Sequence, residues 1–232
     1  MNRYSRQEKF IGKIAQKKLG SSTVCIVGCG ALGSSSAEIL ARSGVKKLIL
    51  IDFDLVELSN LQRQTLYGEI DISKSKVESL KKYLKKINSN VEIQTHSEKI
   101  GNTNLDLLNS DLIIDGLDNF ETRYLINEYA LKNNIPFIFG STIRGEGMIF
   151  PILKDQPCLR CVFPKAVNTG KAKDEGVLAS AARIVSAIQV STAIKILTDE
   201  KVEPEMIKFN LYNNEFYKAK AKKNKLCEVC SR

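Results

Sequence analysis

Four cysteines stand in two pairs, Cys158-Leu159-Arg160-Cys161 and Cys227-Glu228-Val229-Cys230, with 65 residues between them. Two CxxC knuckles without a nearby histidine close a tetrahedral thiolate site for Zn²⁺, each pair supplying the two donors the other lacks. Four protein ligands leave no open position, so the metal is expected to be structural and to pin a tail over 221–232 to the domain. The rival reading is a redox-active CxxC. It calls for a pair that opens a helix after a thioredoxin-like strand, and neither pair reads that way.

A second group centres on Gly28-Cys29-Gly30-Ala31-Leu32-Gly33, which follows an apolar run, opens a helical pattern and precedes Asp52 by 19 residues counted from Gly33. In that context the glycines let backbone approach phosphate, the helix N-terminus supplies amide donors, and Asp52 accepts from ribose hydroxyls. The bland alternative is a tight turn that only packs helix on strand. Beyond Asp52, the stretch Ser59 to Gln64 gathers Asn60, Gln62, Arg63 and Gln64, and arginine suits charge-assisted contacts to phosphate. Lys76 opens the next helix and is expected at the same mouth, whereas Lys81, Lys82, Lys85 and Lys86 read as surface. Asp118 follows the third core strand, where an open α/β sheet presents its carboxyl edge to ligands. A carboxylate facing a triphosphate needs a cation between them, so Asp118 is assigned to Mg²⁺. Its alternative role is to cap the helix starting near Asn119, and the two coexist.

The single histidine, His96, has no evident partner and reads as incidental. With so little histidine, a reaction needing no general base fits best. Cys25 lies in a core strand, where a free cysteine is commonly inert packing, and Cys29 occupies a tolerant glycine-loop position.

The elements that must position these residues form one domain. Thr23–Val27, Leu48–Ile51, Asp111–Ile114 and Pro136–Phe139 are apolar on both faces, as strands of a buried parallel sheet are. Helices are expected over 34–43, 74–88 and 121–133, the second with Val77, Leu80, Leu84 and Ile87 on one face. A short strand is expected over Val91 to Gln94. After Phe139 the pattern becomes ribbon-like over 143–153, so the sheet turns mixed. A loop over 163–176 is longer than most connections and reads as mobile and functional. A long small-residue helix over 177–197 follows, then a hairpin of 206–212 and 215–220 around Asn213-Asn214. No internal repeat is present.

The 232 residues carry 35 Lys and Arg against 26 Asp and Glu, a net charge of +9, with runs at Lys81 to Lys86 and Lys218 to Lys225. Such a balance draws acidic partners, although a solvated lysine surface explains the runs equally well. No nucleic-acid module or aromatic interleaving accompanies them, which disfavours nucleic acid. No apolar run approaches the roughly 20 residues of a membrane span, and the polar start Met1 to Gln7 has no signal-peptide core. The expected location is the cytoplasm, with no membrane association.

Arg3-Tyr4-Ser5-Arg6-Gln7, the glycine loop, Asp52 to Gln64, Lys76, Asp118-Asn119, Arg144 within Ser141 to Gly147 and both CxxC pairs together resemble the ThiF/MoeB/HesA adenylyltransferases, relatives of the ubiquitin-activating enzymes. The resemblance runs nearly end to end and implies a single adenylating domain over 1–232, with an N-terminal helical arm over 1–20. The fold it implies is α/β, a Rossmann-like doubly wound mixed sheet, parallel in its N-terminal half, with antiparallel C-terminal strands and a structural zinc site. The implied activity is ATP- and Mg²⁺-dependent adenylation of the C-terminal glycine carboxylate of a small ubiquitin-like sulfur carrier ending in Gly-Gly, serving thiamine, molybdopterin or tRNA-thiolation chemistry. Carried over by position, Gly28, Gly30, Ala31 and Gly33 meet the nucleotide and Asp52 its ribose. Asn60 and Arg63 touch phosphate, Lys76 neutralises it, Ser59 and Asn119 meet the nucleotide, and Asp118 holds the metal. Arg6 reaches a partner's nucleotide, which implies a homodimer. The chemistry agrees, since a carboxylate is ionised at pH 7 and attacks phosphorus without a base, leaving positioning and charge neutralisation to the protein.

One departure matters. Members that form a covalent link commonly carry a cysteine just before the helix that here begins near Val177, and the matching stretch is Lys171-Ala172-Lys173-Asp174-Glu175-Gly176. Ala172 is no nucleophile, so the chain is expected to stop at the acyl-adenylate and leave sulfur donation to another protein. Three alternatives stand beside this reading: adenylation of a ribosomal peptide's C-terminus, an NAD-dependent oxidoreductase that would leave Arg63 and Lys76 unused, and a non-catalytic nucleotide-binding module.

Overall fold

The computed structural model describes residues 2–165 and 175–231, so Ala172 and most of the expected 163–176 loop lie outside the described residues. One eight-stranded sheet organises the rest. Its strands are β1 (Thr23–Val27), β2 (Lys47–Ile51), β3 (Glu92–His96), β4 (Leu112–Asp115), β5 (Phe137–Ile143), β6 (Glu146–Ile152), β7 (Glu205–Asn210) and β8 (Glu215–Lys220). They lie in the order β3-β2-β1-β4-β5-β6-β7-β8. The first five are parallel, and β6, β7 and β8 add antiparallel strands, as the sequence pattern implies.

Alternation along each strand divides the core into two layers. Val24, Ile26, Leu48, Leu50, Leu112 and Ile114 face one cluster with α3 (Ala31–Ser43), α4 (Lys76–Ile87) and the long last helix, α7 (Ala179–Leu197). Cys25, Val27, Ile49, Ile51, Ile113 and Phe137 face the other, with α5 (Phe120–Lys132) and the one-turn α6 (Leu159–Val162). Both faces of the central strands are therefore buried, which is why they read as unbroken apolar runs.

Differences from the sequence expectation have local causes. Helix α3 starts at Ala31 rather than 34, so the glycine turn is itself the helix N-terminus. Strand β5 runs on to Ile143, because β6 pairs with it as far as Ile143 opposite Glu146. The last hairpin turns over 211–214 and not on Asn213-Asn214 alone. There the Asn210 side chain accepts the Tyr212 and Asn213 amides, and Asn214 takes the left-handed φ of 58°. Helix α7 is long and apolar enough by length and composition to cross a membrane, contrary to the expectation that no such run exists. Ala181, Ala182, Val185, Gln189, Val190 and Ala193 are nevertheless buried, and the helix packs on α3, β5 and β6.

The N-terminal arm is two short helices, α1 (Ser5–Ile11) and α2 (Lys13–Leu19), broken at Gly12. Tyr4 packs against Gly44 at the C-terminal end of α3, and its hydroxyl accepts from Asn88 at 2.8 Å.

Candidate active site

Strand β1 lies between β2 and β4, so the chain order reverses there and a crevice opens beyond the carboxyl ends of these strands. Two loops line it, 28–30 after β1 and 116–119 after β4. Their closeness demands glycine. Gly28 has φ 86°, a Cβ on Gly33 would sit 1.8 Å from the Gly28 carbonyl oxygen, and one on Gly116 would sit 2.1 Å from the same atom. Gly116 escaped the sequence reading, although its place directly after a core strand was a usable signal. Gly30 is the N-cap of α3 and no side chain among the described residues caps that end, so the first amides of the helix are available to an anion.

Asp52 ties this loop to the end of β2. Its Oδ2 accepts the Cys29 amide at 2.6 Å and its Oδ1 the Asp54 amide at 2.8 Å. Burial raises its pKa, opposed by the Asp54 and Cys29 amides and by Lys76. A carboxylate has about four lone-pair positions, so two bonds leave capacity for a hydroxyl ligand. The Asp52 amide donates to the His96 carbonyl at 3.1 Å, which sets the segment after β3 beside the ribose acid. Between that segment and α5 lies a cleft of about 230 Å³ lined by Ile100, Gly101, Asn102, Thr122 and Leu125, with Lys99 and Glu121 at its rim. Among the described residues, the polar partners of the His96 ring are Gln94 and Glu98, consistent with an incidental role.

On the other side of Asp52, a short 3₁₀ turn over Leu58–Asn60 orders the polar stretch. Asn60 is buried and accepts the Glu57 amide at 3.3 Å, while Ser59 and the half-buried Arg63 are joined by a 3.1 Å bond from Nη1 to the Ser59 carbonyl. Gln64 is buried beside Gly30, and its Oε1 has no partner among the described residues. Lys76 is buried whereas Lys82, Lys85 and Lys86 are exposed. Its Nζ lies 2.8 Å from Oδ2 of Asp54 and its amide donates to the Asp54 carbonyl at 3.1 Å. Asp54 also was not singled out by the sequence reading.

The 116–119 loop rests on a buried ion pair. Asp115 and Arg123 are almost fully enclosed and meet at 2.8 Å, and Arg123 also donates to the Gly140 and Leu117 carbonyls. Asp115 accepts the Leu117 amide at 2.9 Å, and Gln189 on α7 donates to the Asp115 carbonyl. The guanidinium packs on the rings of Phe120 and Phe139. Burial raises the Asp115 pKa, with Arg123 pulling it back. Asp118 lies exposed on this loop. It does not cap α5: Asn119 does, accepting the Thr122 amide at 2.9 Å. That corrects the capping alternative, and it commits the Asn119 side-chain oxygen to the helix.

Arg6 stands apart. It is exposed on α1, two residues from Tyr4, at the end of α3 opposite the glycine loop. Helix α3 has 13 residues, or about 20 Å at 1.5 Å per residue, so Arg6 does not serve the crevice of its own chain. Phe10 and Ile14 on the same arm are 92 % and 79 % exposed.

The four paired cysteines converge, with all sulfurs within 4.8 Å of one another. Cys158 to Cys227 is 3.6 Å, Cys161 to Cys230 is 3.3 Å and Cys158 to Cys161 is 4.0 Å. A tetrahedron with Zn–S bonds of about 2.3 Å has edges of about 3.8 Å, so the donor set fits zinc. Burial pushes Cys158 up to about 11, and amides from Cys230 and Val229 draw Cys227 down to about 7 against its own burial. One sequence premise needs correcting: Cys158 does precede a helix, the single turn α6. The convergence of all four sulfurs, rather than the absence of a helix, is what disfavours a redox pair. Cys25 and Cys29 are fully buried, and burial raises both thiols.

Comparison with known proteins agrees with this geometry. The ThiF family model matches residues 4–229. The sulfur carrier protein ThiS adenylyltransferase of Bacillus subtilis is 39% identical over 238 residues, covering 98% of this chain and 71% of that protein. The SAMP-activating enzyme E1 of Haloferax volcanii is 33% identical, covering 99% of this chain and 88% of that one. Among solved structures, Escherichia coli MccB with ATP superposes with a TM-score of 0.88 at 26% identity, covering 100% of this chain and 75% of that chain.

Proposed function

Because the chain belongs to the ThiF family, we propose that it is an ATP-dependent adenylyltransferase that activates the C-terminal carboxylate of a small ubiquitin-like sulfur-carrier protein. The observation that carries this reading is the start of α3, uncapped by any side chain among the described residues and packed against Gly28 and Gly116, with Asp52 bonded to the adjacent Cys29 amide and the buried Lys76 close to that carboxylate. The base of ATP occupies the cleft beside Ile100 and Thr122, and its ribose hydroxyls donate to Asp52. The phosphates lie over the amides of Gly30 and Ala31, toward Asn60, Arg63 and Lys76.

In the reaction, a carboxylate oxygen of the carrier's terminal glycine forms a bond to the α-phosphorus as the bond to the bridging oxygen of pyrophosphate breaks. The products are acyl-adenylate and pyrophosphate. No proton changes hands, so no general base is required of the crevice. The helix amides, Lys76 and Arg63 hold charge in place as it shifts onto the leaving group. Asp118 is the residue that would hold Mg²⁺, which supplies charge neutralisation across the phosphates when bound. Cys158, Cys161, Cys227 and Cys230 would hold Zn²⁺ as a staple for the tail.

The exposed α1, with Arg6 turned away from its own crevice and Phe10 and Ile14 in solvent, supports a homodimer in which Arg6 serves the partner's nucleotide. An oxidoreductase reading leaves Lys76 and Arg63 without work, and a silent binding module does not account for the family membership. The test is exchange of labelled pyrophosphate into ATP. Exchange that depends on a carrier ending in Gly-Gly is expected; exchange absent with carrier, or unchanged when the terminal glycines are deleted, would reject the reading.

A further inference from the structure

The turn between β5 and β6 consists of Arg144 and Gly145, since Ile143 pairs with Glu146. Arg144 has φ 51°, in the left-handed region, while Gly145 beside it lies outside that region. A two-residue turn forms with less strain when glycine occupies the left-handed position. Strain of this kind persists only where the surroundings hold it, and it collects at functional sites.

The surroundings here are the residues that lead into α7. The Arg144 amide donates to the Gly176 carbonyl at 2.9 Å, the Leu178 amide donates to the Arg144 carbonyl at 2.8 Å, and Arg144 forms a parallel bridge with Val177. The Arg144 Nε donates to Oε2 of Glu175 at 3.0 Å, with the arginine side chain 70% exposed. From the other side, Gln62 donates to the Val177 carbonyl at 3.3 Å. Residues 175–178 therefore run between the hairpin tip and the loop that carries Asn60 and Arg63. Strand β5 is parallel to β4, so Arg144 stands at the same sheet edge as Gly28 and Asp118. A guanidinium held at this edge by a strained backbone is already occupied by a carboxylate.

We propose that Arg144 captures the terminal carboxylate of the incoming carrier, and that Glu175 occupies its guanidinium until the carrier displaces it. This rests on the adenylation reading above. One carboxylate oxygen stays on the guanidinium while the other attacks phosphorus. The exchange replaces one carboxylate on Arg144 by another, and a pair whose guanidinium is 70% exposed is weak enough to give way. Arginine suits the task because its rigid planar fork fixes the direction of the carboxylate.

The test uses the full chain, ATP and ThiS as carrier, reading carrier-dependent pyrophosphate exchange and, separately, ATP affinity by calorimetry. Arg144→Asn removes the guanidinium and keeps a residue that tolerates the left-handed backbone. It should raise the carrier KM by about tenfold or more, the size expected for one lost charge-assisted bond, with ATP affinity within about twofold. Glu175→Gln should lower the carrier KM. Arg144→Glu combined with Glu175→Arg restores the ion pair, yet should leave the carrier KM as poor as Arg144→Asn does. Recovery of the wild-type KM by that exchange of charges would overturn the proposal, leaving a structural tie. So would an unchanged KM in Arg144→Asn, or a matching loss of ATP affinity. A wild-type chain with no carrier-dependent exchange would overturn the adenylation reading and this proposal together, whereas an active wild type with an indifferent Arg144→Asn overturns only this one.

Discussion

Arg123 Nε and Asp115 Oδ2 meet at 2.8 Å with 2% and 0% of their side-chain surface exposed, and the loop bearing Asp118 is built on that pair. Arg123 sends further bonds to the Gly140 and Leu117 carbonyls, joining β4, β5 and α5 at the floor of the crevice. Arg123→Leu leaves a buried carboxylate unpaired, a change that costs about 3–5 kcal/mol. Chemical denaturation should show that loss, and the double variant Asp115→Leu with Arg123→Leu should recover part of it. A single variant as stable as the parent would mean that the loop is held by other contacts.

Lys76 and Asp54 form the next such relationship, with a buried ammonium held at 2.8 Å. A hydrogen bond to a charged group contributes about 1.5–3 kcal/mol, so Lys76→Ala should slow exchange roughly ten- to a hundredfold. Lys82→Ala, on the exposed face of α4, should leave the rate within about twofold. Equal responses of the two variants would place Lys76 among the surface lysines.

A Cβ at position 33 would lie 1.8 Å from the Gly28 carbonyl. Gly33→Ala must push α3 away from the loop, at a cost of about 1–3 kcal/mol as in other overpacked sites, and it displaces the amides that face phosphate. Calorimetry should show ATP binding lost even where circular dichroism shows a folded chain. Full ATP affinity in that variant would move the phosphates to another part of the crevice.

How much of this was legible in the sequence differs by residue. The glycine turn, Asp52, Lys76 and the four cysteines are local patterns whose spacing relative to strand or helix carries their meaning, and the structure places them on the expected elements. The Asp115–Arg123 pair was not legible, because its role comes from contacts between β4, β5 and α5 that no local window contains. An arginine among the buried residues of α5, beside Thr122 and Tyr124, was the available hint. The extension of β5 to Ile143 was missed for the same reason: its partner β6 decides where pairing ends. Asn119 and Asp118 are both good cap residues side by side, and only geometry chooses between them.

The tail over 224–231 is held by the cysteines and by bonds such as Asn224 amide to Cys161 Sγ at 3.4 Å. Removing zinc with a chelator, or Cys227→Ser, should free it. In a chain of this size each 1 kcal/mol lost lowers Tm by roughly 2–4 °C, so a drop of several degrees is expected, with pyrophosphate exchange reduced less than by Lys76→Ala. A Tm untouched by metal removal would show that the four sulfurs are not a metal staple.

The most direct measurement is the mass of a ubiquitin-like sulfur carrier ending in Gly-Gly, ThiS and its relatives in turn, after incubation with this chain, ATP and Mg²⁺. A carrier heavier by one AMP at its terminal glycine, formed with release of pyrophosphate and without any thiol-sensitive adduct on the chain, is the predicted result. A carrier of unchanged mass beside a wild-type chain that binds ATP, or a thiol-labile bond between carrier and chain, would contradict it.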